Sequence, residues 1–187
     1  IHEERKAREE QQSLRNNLDR AVSIAQKEWV SSLLVNQVQD ITFDEWGQLL
    51  GVEITTGYMM LFVLQPMKDC ELSIADKQSW YLWLRDALKT AVTKQEAMIG
   101  PMTDTQVPVL FLCKKTTDKL LFRSYAQTII ETMYSLFKQI PFKAELRIGV
   151  GLPYNHSHEL NKSYHEAVVA LQQLYKNPTR KYLFGVK

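Results

Sequence analysis

The chain has 187 residues, 45% of them apolar and 24% charged, enough for one domain with a core and too apolar for disorder. Its formal net charge of +2 gives nucleic-acid binding no support. Its longest apolar run, about Met59 to Leu64, is far below the roughly 18 residues a membrane helix needs. Cys70 and Cys113 show no pairing pattern, which reads as a reduced, cytoplasmic protein. No charged-then-apolar leader opens the chain, and its start at Ile1 reads as part of something longer.

Charge divides the chain into three parts. Residues 1–28 carry six basic and six acidic side chains, residues 29–113 five and ten, and residues 114–187 twelve and five. A balanced front, an acidic middle and a basic end predict distinct solvated surfaces.

The first 28 residues lack Gly and Pro and are rich in strong helix formers. Ala7, Gln11, Leu14, Leu18, Ala21 and Ala25 recur at 4-3-4-3-4 spacing, a short, alanine-rich heptad seam. The apolar set then broadens to Val22, Trp29, Val30, Leu33, Leu34 and Val38, a stripe suited to a globular core. The spacing predicts one helix from Glu3 to Val38, its front protruding and its rear docked. Residues 1–28 are the coiled-coil-like lead-in and residues 29–187 the domain. A short helix, Phe43 to Leu50, stops at Gly51.

From Gly57 the period changes. Gly57 to Leu64 is a solid apolar run closed by Gln65-Pro66 and reads as a strand buried on both faces. Ser73 to Lys94 reads as a helix with Trp80, Leu84, Ala87, Leu88 and Ala91 on one side. Ala97–Met102 and Val107–Cys113 form a hairpin across Thr103 to Gln106. Thr117 to Gln139 is a helix with Leu121, Ala126, Ile129, Ile130, Met133 and Phe137 inward. Ala144 to Gly151 is a strand, Ser157 to Lys176 a helix that Ser157 can cap, and Lys181 to Val186 a last strand. The order β-α-β-β-α-β-α-β begins with the split βαβ arrangement of ferredoxin-like folds. The fold class is therefore α+β, a five-stranded mixed sheet with Tyr58–Leu64 central and helices packed on it.

Arg147-Ile-Gly149-Val-Gly151-Leu-Pro153-Tyr154, then Leu160, then Ser163-Tyr164-His-Glu-Ala167 resembles the GGDEF-like regulatory segment of YesN-type response regulators and related AraC-family transcription factors. In that family a strand carrying Ile-Gly-x-Gly is followed by Pro-Tyr, a Leu, and Ser-Tyr-x-x-Ala on a helix. The run Trp29-Val-Ser-Ser-Leu-Leu is also similar to the family's lead-in. The resemblance implies a degenerate GGDEF-type domain, a receiver or membrane sensor upstream, and paired helix-turn-helix motifs downstream. The chain itself stops at Lys187 before any such motif, so sequence-specific DNA binding by this segment is not expected.

The catalytic relatives of that family are diguanylate cyclases. Their phosphoryl transfer needs paired acids holding Mg²⁺ and a Gly-rich turn that lets backbone approach the nucleotide. Here the turn reads Gly100-Pro-Met-Thr-Asp104-Thr-Gln106, and the first strand ends Val63-Leu-Gln65-Pro-Met67, with Asp69 too late for the metal position. The inhibitory Arg-x-x-Asp motif follows none of the eight arginines. Gly149-x-Gly151 lacks the third glycine of a dinucleotide fingerprint, and no phosphate-loop Gly-Lys-Ser/Thr occurs. His158 and His165 would stand roughly 10 Å apart along one helix, too far to share an ion. With His156 they read as polar groups at a helix start, Cys70 and Cys113 as structural thiols, and Trp80, Tyr81 and Trp83 as core and rim.

The expected function is a non-catalytic regulatory and dimerisation module of a bacterial transcriptional regulator, without cofactor or metal. Its partner would be a second copy, paired weakly through Leu14, Leu18, Ala21 and Ala25. The alternative is an effector sensor whose degenerate nucleotide pocket lies near Gln65, Asp69 and the Gly100–Gln106 turn. An enzyme with residual nucleotide chemistry is opposed by the missing acids.

Overall fold

The computed structural model describes residues 2–34, 42–92, 95–113, 119–140, 142–177 and 182–185. The elements in chain order are α1 (His2–Leu34), α2 (Phe43–Leu50), β1 (Thr56–Pro66), α3 (Ile74–Ala91), β2 (Gln95–Ile99), β3 (Gln106–Cys113), α4 (Lys119–Phe137), β4 (Ala144–Val150), α5 (Leu160–Lys176) and β5 (Tyr182–Phe184). Four antiparallel strands run in the order β2-β3-β1-β4, and the three-residue β5 lies parallel beside β4 at the edge. The sheet is therefore antiparallel over most of its width, and only β5 gives it mixed character.

The strand β1 organises both layers. Its side chains alternate: Tyr58, Met60, Phe62 and Leu64 enter the core shared with α3 and α4. Met59 joins Trp29, Val30, Phe43, Trp46 and Leu160 on the opposite face, and Leu61 and Val63 meet Ala167, Leu171 and Leu174 of α5 there. A strand apolar at every position is what a two-sided burial demands. Tyr58 stacks on Phe111 at 5.2 Å and takes the edge of Phe122 at 4.9 Å. That contact sets the phase of α4. Phe122 is buried and Leu121, expected inward, is 38% exposed, because the two residues stand about 100° apart on the helix.

Element ends differ from the sequence reading for local reasons. The Ser73 hydroxyl accepts from the Asp76 N–H and the Asp76 carboxylate from the Ser73 N–H, so a capping box starts α3 after Ser73. β2 is Gln95–Ile99 rather than Ala97–Met102: the Gly100 N–H still reaches the Pro108 carbonyl at 2.8 Å, but Pro101 has no N–H to continue the ladder. Ser157 opens a single 3-10 turn, Ser157–Glu159, and α5 begins only at Leu160, with no side-chain cap. Ser157 thus does not cap the helix. Gly51 closes α2 at φ 72° as a left-handed C-terminal residue should. α1 is continuous to Leu34; Val38 lies outside the described residues, as do Lys94, Thr117, Lys181 and Val186 at the other expected element ends.

Buried phenols give the fold a pH signature. Burial pushes Tyr58 well above the ordinary tyrosine value, with the neighbouring Cys113 adding to it and the bond to Gln95 opposing it. Tyr134, whose hydroxyl donates to the Leu146 carbonyl at 2.8 Å, is also raised by burial. Both stay neutral in the fold while an unfolded tyrosine ionises near pH ~10. The stability they confer is whole below that pH and is lost as pH rises through their folded-state values. Urea unfolding should therefore show stability falling above pH ~10, with a shallower fall in Tyr58→Phe/Tyr134→Phe. An equal fall in both proteins would exclude these phenols as its source.

Candidate functional site

The residues singled out from the sequence, Gly149, Gly151, Pro153, Tyr154, Ser163, Tyr164 and Ala167, come together where β4 leaves the sheet and α5 crosses it. The register pairs Met60 with Val150, so Met59 should next exchange two bonds with Gly151. Only one is made, from the Gly151 N–H to the Met59 carbonyl at 2.8 Å. The Met59 N–H donates instead to the buried Ser163 hydroxyl at 2.8 Å. Pairing resumes at Gly57 and Tyr154, which exchange both bonds at 2.9 Å. One extra residue has been inserted opposite β1, a bulge, and the Pro153 segment without an N–H carries it.

Close approach explains the glycines. A Cβ on Gly149 would stand 2.3 Å from the Ala167 carbonyl oxygen, and one on Gly151 2.0 Å from that of Ser163. The small residues of α5 face the glycines of β4, so helix and sheet pack backbone to backbone. The Tyr154 hydroxyl donates to the Glu166 carboxylate at 2.7 Å. Burial first, and that bond second, raise the Tyr154 phenol, which keeps it a donor. Tyr164 is half-buried between the two cores on its side of the sheet, its ring 5.5 Å from that of His165. The motif is thus a packing device.

At the opposite end of β1 the geometry departs from nucleotide chemistry. Thr103 and Gln106 exchange both backbone bonds at 2.9 Å across Asp104-Thr105, with Asp104 at φ 57°. This turn is fastened to α3: Lys77 pairs with Asp104 at 2.7 Å, the Trp80 indole N–H donates to the Thr105 carbonyl at 2.9 Å, and the Tyr81 hydroxyl to the Gly100 carbonyl at 3.2 Å. The Leu64 N–H also reaches Thr105 at 3.4 Å. Gln65 stands at the end of β1 with a buried, unpartnered Oε1, and Asp69 is exposed at φ 66°. A neutral amide and an aspartate already paired with lysine do not fit Mg²⁺ and a triphosphate, which need free, convergent anionic oxygens. Four clefts formed by described residues are lined by other groups, not by Gln65, Asp69 or this turn, where a degenerate pocket was expected.

Gly100 has a different use. A Cβ there would lie 2.6 Å from Val30 Cγ1 and 2.8 Å from Pro108. The glycine therefore lets the rear of α1 sit on the hairpin. Trp29 completes the seat, its ring 4.5 Å from that of Trp46. The sequence reading had the docked rear of α1 but missed Trp46 as its partner; the signal was a tryptophan on the apolar side of α2.

The other candidates are dispersed. His156 and His158 are exposed and stacked at 5.5 Å, and His165 is exposed on α5. Among the described residues no three His, Cys, Asp or Glu side chains are placed to hold a metal ion. Cys70 is half-buried and Cys113 buried. Trp80 is fully buried and stacks on Trp83 at 5.6 Å. In the N-terminal seam Leu14 and Leu18 are 69% and 65% exposed, and Ala7, Gln11, Ala21 and Ala25 are exposed with them. No described helix is long and apolar enough to cross a membrane.

Residues 36–172 match the profile of the GGDEF-like domain. The chain belongs to the GGDEF-like family. The matched region holds β1 to β4 and most of α5, and leaves α1 outside. Among solved structures, a regulator of polyketide synthase expression from Bifidobacterium adolescentis is similar at 14% identity and a TM-score of 0.46, over 85% of this chain and 54% of that one. The S helix-GGDEF-EAL portion of LapD from Vibrio cholerae, in its apo form, is similar at 14% identity and a TM-score of 0.39, over 89% of this chain and 41% of that one. The chain thus spans about half the length of the structures it resembles or less. A comparison with curated proteins returns no match.

The GGDEF-like domain's motif can be tested as a packing device. Gly151→Ala must force helix and sheet apart and should destabilise by roughly 1–3 kcal/mol or more. Ser163→Ala strands the Met59 N–H and should cost about 1–3 kcal/mol. Chemical denaturation measures both; a Gly151→Ala protein as stable as wild type would refute the close approach.

Proposed function

We propose that this GGDEF-like chain is a non-catalytic regulatory and dimerisation module of a bacterial transcriptional regulator of the YesN or AraC type. In this reading α1 carries a signal from an upstream receiver or sensor, and residues 29–187 pass it to a downstream DNA-binding domain. The observation that carries the reading is the contrast along α1. Its rear is buried in the domain through Trp29 and Val30, while residues 2–25 are exposed throughout, Leu14 and Leu18 included. At 33 residues the helix is about 50 Å long, a lever whose root is fixed.

A second copy of α1 would cover the seam. Each leucine gains at most roughly 1.5–3 kcal/mol on full burial, and Ala21 and Ala25 permit close approach but add little area. Pairing by so short a seam is weak, and attached domains would strengthen it through effective concentration. A two-fold pair also presents two DNA-binding domains to paired half-sites. In sedimentation experiments at tens of micromolar, the wild type should show concentration-dependent dimers and Leu14→Asp/Leu18→Asp should be monomeric. If both sediment alike as monomers, α1 is not an association surface.

The non-catalytic reading is supported by the neutral Gln65 at the end of β1, where the strand carries no acid, and by the pairing of Asp104 with Lys77. Incubation with GTP and Mg²⁺ or Mn²⁺ should yield no cyclic dinucleotide by chromatography. Turnover that disappears in Asp104→Ala would overturn this.

A further inference from the structure

We propose that the cleft between α1 and the α3–β2 side of the domain binds a small organic anion, a carboxylate or phosphate on an apolar body. The cleft measures about 600 Å³, a size suited to a small molecule. Arg20 and Lys27 enter it from α1, and Arg85 and Lys89 from α3; Asp19 and Glu96 are the carboxylates facing them. Arg20, Arg85 and Lys89 have no ion-pair partner among the described residues. Lys27 is held over the Tyr81 ring, 5.0 Å from its centroid.

Gln95 lines this cleft and also the neighbouring one beside α4. The Tyr58 hydroxyl donates to Gln95 Oε1 at 2.8 Å, which fixes the amide, and Gln95 Nε2 is buried with no hydrogen-bond partner. A buried donor left without an acceptor is costly. An oxygen of a bound anion would satisfy it while the cations on the two helices balance the charge. Leu88 and Ala97 beside it give an apolar body its contact. An inorganic anion forgoes that contact, and a neutral aromatic forgoes both the cations and Nε2. Because the walls belong to both α1 and the domain, an occupant would hold the lever in one position. That consequence rests on reading α1 as the signalling element, whereas the binding site does not.

Amide chemical-shift titration of the chain with phenyl phosphate and with benzoate tests the site, with inorganic phosphate and benzyl alcohol as the two partial ligands. Saturable shifts confined to Arg20–Lys27, Arg85–Lys89 and Gln95–Ile99 are expected with phenyl phosphate or benzoate, and weaker ones with either partial ligand. Arg85→Glu/Lys89→Glu, both exposed and so compatible with folding, should weaken binding at least about tenfold. Gln95→Glu keeps an acceptor for Tyr58 but replaces the donor with a carboxylate oxygen, and should weaken binding beyond whatever the buried carboxylate costs the thermal transition of the free protein. No saturable shifts with either organic anion, shifts centred elsewhere, or unchanged affinity in both variants would overturn the site. Sedimentation of the occupied protein separates the two readings. Binding with unaltered self-association would refute control through α1 and leave the site standing, whereas self-association without binding would refute the site alone.

Discussion

The Met59 amide receives from a helix the bond that its neighbouring strand withholds. β4 pairs with β1 as far as Gly151, then bulges, and the Ser163 hydroxyl takes the place of a strand carbonyl. This exchange works only if the first turns of α5 lie against the sheet at backbone distance, which Gly149, Gly151 and Ala167 allow. Once α5 is seated, Leu160 reaches the cluster around Trp29 and Trp46, and Leu171 and Leu174 cover Leu61 and Val63. The burial of one whole face of β1 follows from that seat.

The hairpin between β2 and β3 is held by its contacts with α3. In the cyclases such a turn must leave backbone accessible to a nucleotide. Here it is fastened to α3 by an indole, a phenol and a lysine. The Lys77–Asp104 pair is exposed and contributes less than about 1 kcal/mol, so the buried indole bond is the more telling of the three. Gly100 makes room for Val30. That docking sets one wall of the cleft that Gln95 helps to line.

A helix rooted at one end and bare at the other suits transmission better than stability. Residues 2–25 are exposed, and apart from the cleft that Asp19, Arg20 and Ser23 share with the domain their sequence is free to answer to a partner. The root, by contrast, is tied to both the hairpin and α2, and movement of one must disturb the others. Regulation through such a joint requires only that some ligand or neighbour favour one position of the helix.

Period and composition alone determined the element order, the two-sided burial of Tyr58 to Leu64 and the exposed seam of α1, because each is a property of consecutive residues. The string from Arg147 to Ala167 was also legible, and it signalled the family; its physical meaning was not. That Ser163 serves Met59, over a hundred residues away, depends on a bulge whose insertion no local pattern marks. Leu121 and Phe122 look alike to a helical period, and only contact with Tyr58 chose between them. Gln65 and Asp104 were readable as departures from cyclase chemistry, but the sequence suggested a leftover pocket where the fold instead tied the turn shut. The cleft beneath α1 was invisible, since its walls come from α1, α3 and β2 and exist only once Trp29 has found Trp46. Patterns along the chain fix what each segment would bury; packing across the chain decides which side chains meet, and the sites lie in those meetings.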